Sequence, residues 1–208
     1  MLKLNIKTII QIIRLHLFFI SILFLSASAL AGEDLSGLLR NIQSGRTGIN
    51  EQLNTVNKLT PLMVAADNSD LILVQLLLSM GANPNQREAK DFTALMFASL
   101  QEDGLKVVQQ LLDCGADPNL VNVDNQTALI FASYMGYTDI VSALLAKGAR
   151  HDQISGNNKI ALFYASQEGH ADIIKKLLEP RSDNQETIKY IYEAIDVRPF
   201  NNEVQHSR

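Results

Sequence analysis

Thr60-Pro61-Leu62-Met63-Val64-Ala65-Ala66 returns as Thr93-Ala94-Leu95-Met96-Phe97-Ala98-Ser99, then as Thr127-Ala128-Leu129-Ile130-Phe131-Ala132-Ser133, and last as Ile160-Ala161-Leu162-Phe163-Tyr164-Ala165-Ser166. The spacings are 33, 34 and 33 residues. A second phrase keeps step with the first: Leu77-Leu78-Ser79-Met80-Gly81-Ala82, then Leu111-Leu112-Asp113-Cys114-Gly115-Ala116, then Leu144-Leu145-Ala146-Lys147-Gly148-Ala149. Two phrases in register at one period mean that a single structural unit has been copied and stacked.

Within a unit the apolar residues fall at helical spacing. In the third, Leu129, Ala132 and Ser133 share one face of a short helix, and Ile140, Val141, Leu144 and Leu145 form the stripe of a second. A pair of helices this short cannot bury both stripes alone, so neighbouring units must cover them and the core becomes a column. Thr60, Thr93 and Thr127 stand where a side-chain oxygen can cap a helix start, and Pro61 suits the first helical turn. Gly81, Gly115 and Gly148 follow each Leu pair by three residues, where a helix ends most easily with a left-handed residue.

These phrases resemble the ankyrin repeat, a unit of about 33 residues made of a β-turn and two helices with the signature T-P-L-H-x-A. The resemblance implies an all-α solenoid of about four full repeats. The family's His is replaced by Met63, Met96, Ile130 and Phe163, so apolar packing is expected where that His makes hydrogen bonds. The fourth unit lacks the capping Thr and carries Pro180 in place of the Gly-Ala turn, so the array is expected to stop there. The second unit has one extra residue near Glu102-Asp103-Gly104, which should fall in the turn between its helices.

The flanks are read as caps. Leu35, Leu38, Leu39 and Ile42 repeat with helical spacing and suggest a degenerate first unit over residues 32–58. The four repeats then occupy residues 59–180. Within residues 181–208, Ile188, Ile191, Tyr192 and Ile195 lie on one side of a helix able to cover the far end, and a polar tail follows.

Upstream, Lys3, Lys7 and Arg14 precede an apolar run from Leu15 to Leu25 and the small residues Ser26 to Ala31. This has the form of a secretory signal peptide over residues 1–31, with Ala29 and Ala31 suiting cleavage after Ala31. An uncleaved anchor is the rival reading, since Ile9 to Leu30 has spanning length, but Gln11, Arg14 and His16 interrupt it. Cleavage would lower the Lys+Arg count from 18 to 15 against 22 Asp+Glu, moving the formal charge from −4 to about −7. A chain so balanced lacks the clustered basic face that nucleic acid requires.

No catalytic constellation emerges. His151, His170 and His206 are scattered without ligand-spaced partners, and His170 occupies the Gly-His position that the resemblance assigns to a structural role. Asp113, Asp117, Asp124 and Asp139 lie in different turns and lack the dense oxygen spacing of a calcium loop. Asn125-Gln126-Thr127 matches an N-glycosylation triplet, a weak signal whose Thr already serves as a helix start. Cys114, the one cysteine, has no internal partner and is expected to pack as a small, partly buried side chain before its turn.

The resemblance places partner contacts on turn tips and on the open side of each first helix. Carried over residue by residue, it selects Leu59, Lys90, Phe92, Leu100, Gln101, Gln126, Tyr134, Met135 and Lys159. Of these, Leu59, Phe92, Leu100, Tyr134 and Met135 are expected to form an exposed apolar patch of the kind that marks a protein-binding site. The expectation is therefore a non-catalytic interaction protein without cofactor or metal. It would be monomeric, exported to a periplasm or secreted, free of the membrane once cleaved, and would bind a protein on its concave face. The resemblance also allows an accessory subunit for an exported enzyme such as a catalase or peroxidase, or a secreted effector.

Overall fold

The computed structural model describes Arg40, Ser44, residues 48–51 and residues 58–179. Among these residues there are eight α-helices and no strand. They come in pairs: α1 (Pro61–Asp67) with α2 (Leu71–Ser79), α3 (Ala94–Ala98) with α4 (Leu105–Asp113), α5 (Ala128–Met135) with α6 (Thr138–Ala146), and α7 (Ala161–Glu168) with α8 (Ala171–Leu178). Most of the expected first unit, and all of the leader and the expected C-terminal cap, lie outside the described residues.

The helices begin where their caps dictate. Thr60, Thr93 and Thr127 accept the N–H groups of Met63, Met96 and Ile130 at 3.3, 3.4 and 3.3 Å. Ile160 starts α7 with no side-chain cap. Gly81, Gly115 and Gly148 take φ of 91°, 88° and 84°, the left-handed conformation expected after each outer helix. The additional residue of the second unit is absorbed by a 3-10 turn, Glu102–Gly104. There Gly104 runs so close to α3 that a Cβ would collide with the Ala98 carbonyl.

Inner helices α1, α3, α5 and α7 pack in sequence as one row, and α2, α4, α6 and α8 as a second. The core is therefore continuous from unit to unit, with Leu62, Leu95 and Leu129 at its centre and Met63, Met96 and Ile130 buried at the position of the family's His. Burying a side chain of this size contributes roughly 1.5–3 kcal/mol. The same units are stitched by a polar ladder. Asn85 donates to the Gly115 carbonyl at 2.9 Å and accepts the Asp117 N–H at 2.8 Å. Asn119 repeats this with Gly148 at 3.1 Å and Arg150 at 2.8 Å. One rung earlier, Asn50 accepts the Asn83 N–H at 2.7 Å.

The ladder changes character at the next rung. Asp152 stands 33 residues after Asn119, and a carboxylate cannot donate to a carbonyl. It turns instead to Arg150, with both guanidinium contacts at 3.2 Å, and that hydrogen bond holds the Asp152 carboxyl below the usual carboxylate range.

His170 is structural, as the Gly-His position implied. Its Nε2–H donates to the Tyr134 carbonyl at 3.0 Å, joining the fourth unit to the third. Gly136 takes φ 84° beneath the imidazole, and a Cβ there would sit 2.5 Å from the ring carbon. Cys114 departs from expectation: it is exposed, because the residue before the turn glycine has left the packed face, and its sulfur accepts from Gln110 Nε2 at 3.3 Å.

Three substitutions test this. Gly136→Ala combines an unfavourable φ with the collision against His170 and should lower the unfolding free energy by about 2–4 kcal/mol in a denaturant titration. Gly81→Ala has the same backbone strain but no atom within 4 Å of the new Cβ, so its cost should stay near 1 kcal/mol. Asn119→Ala, which removes both bonds of a rung, should cost about 1–2 kcal/mol.

Candidate protein-binding face

The face is built from the turns that precede the inner helices. Each turn folds around one inward polar side chain. Glu88 Oε1 accepts the N–H groups of Lys90 and Phe92 at 2.6 and 3.0 Å. Asn122 Oδ1 does the same for Asp124 and Gln126 at 3.0 and 2.8 Å, and Ser155 Oγ accepts the Lys159 N–H at 3.2 Å. The three residues occupy equivalent positions in successive units. Each turn also holds a residue at positive φ: Asp91 at 62°, Asn125 at 53° and Asn158 at 59°, all of residue types that tolerate the left-handed region.

Adjacent turns are then tied backbone to backbone. Val123 N–H donates to the Lys90 carbonyl at 3.1 Å, and Gly156 N–H to the Asp124 carbonyl at 2.7 Å. The tips of the second, third and fourth units thus form one row whose spacing is set before any partner arrives.

The exposed apolar patch expected from the sequence does not exist in that form. Phe92 is 3 % exposed and Tyr134 8 %, and Leu59, Leu100 and Gln126 are buried as well. Leu59 and Phe92 each stand just before a helix N-cap, where an apolar side chain folds down onto the fifth residue beyond it as a hydrophobic staple. Phe92 accordingly lies 5.5 Å from Phe97, and it stacks on Phe131 at 5.3 Å. Gln126 occupies the same position in the third unit and receives a hydrogen bond from Asn122 Nδ2 at 3.1 Å. Tyr134 packs edge-on against Tyr164 at 6.3 Å, and Leu100 turns inward directly after the end of α3.

The other four residues remain accessible to different degrees. Lys90 is exposed on its tip; Gln101, Met135 and Lys159 are half-buried. Gln101 Nε2 donates to Asp67 Oδ1 at 2.8 Å across units, Met135 packs against the core, and the Lys159 ammonium sits 3.8 Å above the Phe163 ring. The apolar groups that do face solvent here were not singled out from the sequence: Val123, 58 % exposed, and Ile154, 54 % exposed. Alternation along the turn carries the signal, since Asn122 and Ser155 point inward and their neighbours Val123 and Ile154 must point out.

The two rims of the face differ in charge. Lys90, Asp91, Asp124 and Lys159 make the tips mixed in charge, whereas Glu102, Asp103 and Glu168 stand where the inner helices end. Burial raises the phenols of Tyr134 and Tyr137, and the carboxylates add to it: Glu168 for Tyr134, Glu102 and Asp103 for Tyr137. Among the described residues no three His, Cys, Asp or Glu side chains converge on a point able to hold a metal. No helix among them is long and apolar enough to cross a membrane.

Paired antiparallel helices, stacked through a continuous core and linked by projecting turns, define a helical-repeat solenoid. The family description "Ankyrin repeats (3 copies)" matches residues 25–121 and 95–188, and the chain belongs to the ankyrin-repeat family. It is thereby a protein–protein interaction module, of a family that is typically non-enzymatic. No curated protein matches the chain.

Glu88 gives the face a pH signature. Burial lifts its carboxyl above the usual range, against the lowering effect of the bonds from Phe92 and Lys90. A carboxyl raised in the folded state binds its proton more tightly there than in the unfolded chain, so stability falls as pH rises from the ordinary carboxylate value through the raised one. Glu88→Gln keeps an acceptor oxygen and removes the titration. Thermal melts between about pH 4 and pH 7 should show the wild type losing melting temperature relative to this variant as pH increases.

Proposed function

We propose that the chain is a non-catalytic adaptor, exported across a membrane, that holds a protein partner against the row of turn tips in its second, third and fourth units. One observation carries this reading: Val123 and Ile154 are apolar and more than half exposed on adjacent tips, and the tips are locked together by the Val123–Lys90 and Gly156–Asp124 backbone bonds. A preorganised apolar contact avoids the ordering cost that a flexible loop would incur on binding. Lys90 and Lys159 flank it, and Glu102, Asp103 and Glu168 at the far ends of the inner helices favour a partner with basic groups on that side. Export rests on Lys3, Lys7 and Arg14, the apolar run after them, and Ala29 and Ala31. The accessory-subunit reading differs only in who the partner is, an exported oxidoreductase such as a catalase or peroxidase.

Val123→Asp combined with Ile154→Asp should reduce partner recovery in a pull-down from the native compartment by tenfold or more, with an unchanged circular-dichroism spectrum. Ser79→Asp, on an exposed position of outer helix α2, should leave recovery as it is. Full recovery by the double variant would remove the tips from the interface. Mass spectrometry of the captured protein separates the two readings of the partner. Phe92→Glu and Tyr134→Glu would unfold their units and say nothing about binding.

A further inference from the structure

Outer helix α2 differs from its three counterparts in what it shows to water. Ile72, Leu76 and Met80 are 80 %, 37 % and 40 % exposed, and their spacing of four residues sets them in one line along the helix. The same positions hold Lys106, Gln110 and Cys114 in the second unit, Asp139, Ala143 and Lys147 in the third, and Asp172, Lys176 and Pro180 in the fourth. The stack therefore has no need of apolar side chains there. Nor would a preceding unit cover the line: Lys106, Cys114, Asp139 and Lys147 stay exposed although each of their units has a predecessor.

Charge decides among the occupants such a line could take. No charged side chain occurs from Leu71 to Gln86, and Gln75 and Ser79 are the only polar side chains of α2. A helix this apolar on every side is ordinarily a buried one. A bilayer surface would call for Lys or Arg beside the apolar line, and α2 has neither. A strongly basic or acidic partner would find no opposite charge to meet. A second copy of the chain needs no such charge, because a two-fold contact sets the same patch against itself. Along this uncharged stretch two chains, each of formal net charge −4, can meet without like charges opposed.

We propose that α2 is the contact of a symmetric dimer, in place of the single chain expected from the sequence, with the two α2 helices antiparallel and the two-fold axis at Leu76. Leu76 then meets its own copy. Ile72 meets Met80 of the partner subunit, since both lie four residues from the axis. Antiparallel helices also oppose their dipoles, which is favourable. A helix of nine residues is only about 13 Å long, so the contact falls at the small end of specific interfaces and the dimer is a weak one. Its dissociation constant is expected on the order of 100 μM. The dimer contact and the partner contact at the tips use different residues, so either can fail without the other.

Sedimentation equilibrium of the chain purified from its native compartment should show a weight-average mass rising from one chain toward two between about 10 μM and 1 mM. Ile72→Lys with Leu76→Lys, which borrow the residues that Lys106 and Lys176 supply in other units, should hold the mass at one chain with an unchanged circular-dichroism spectrum. Val123→Asp with Ile154→Asp, at the tips, should leave the association as it is. A wild type that stays single throughout, or a lysine variant that associates equally, overturns the proposal. The axis has its own test. In a Cys114→Ser background, Leu76→Cys should form a disulfide-linked dimer in oxidised glutathione about tenfold faster than Gln109→Cys, an exposed position of α4, because the dimer raises the effective concentration of the two thiols. Equal rates overturn it, as does cosedimentation with phosphatidylcholine vesicles that the two lysines abolish, which would assign the line to lipid.

Discussion

Everything in this molecule depends on the burial of one helical hairpin against the next. No hairpin here has an interior of its own: α3 has five residues and α4 nine, too short to be stable helices in water. They persist because Leu95, Met96 and Phe97 are covered by the units on either side, and Val107, Val108 and Leu111 by the neighbouring outer helices. Stability in such an array is close to a sum of unit and interface terms. Local strain, such as Gly136 beneath His170, is consequently felt mainly by the two units that share it.

Apolar packing sets the column, and polar groups set its pitch. The Asn85 and Asn119 rungs use both ends of a side-chain amide, one oxygen and one NH2, to fix the distance between consecutive loops. Further along the same connections Glu88, Asn122 and Ser155 each organise a turn from within, and the backbone bonds between tips extend that order across units. Lys90, Val123 and Ile154 are therefore carried on a stiff edge. For a binding surface this matters more than the identity of any one residue, because a rigid row loses little conformational freedom when a partner docks.

The face is illegible in the sequence wherever a side chain's direction depends on the neighbour it meets. Leu59 and Phe92 lie one residue before a capping Thr, and at that point the chain enters the helix by folding an apolar side chain beneath it. Gln126 and Lys159 occupy the same position in the later units, which hid the pattern behind a change of residue type. Tyr134 looked exposed because it follows the signature phrase, yet the last turn of α5 brings it against Tyr164 of the next unit. Val123 and Ile154 escaped notice for the opposite reason: a small β-branched residue in a turn carries no sequence signal until the inward side chain beside it has been identified.

The sequence by itself determined the unit, its period, the Thr caps, the glycine turns, the place of the extra residue at Glu102–Gly104 and hence the solenoid, because all of these are local events repeated in register. It could also assign His170 a structural role, since the Gly-His pair sits at a fixed point of the repeat. Only the tertiary structure decided which side chains face solvent, because at turns and helix ends the direction of a residue follows from the neighbour it meets. Phe92 is buried by Phe131 of another unit, and Asn85 is satisfied by Gly115 of another. Those facts belong to the spaces between units, and a linear pattern records each unit without recording the contacts that lie between them.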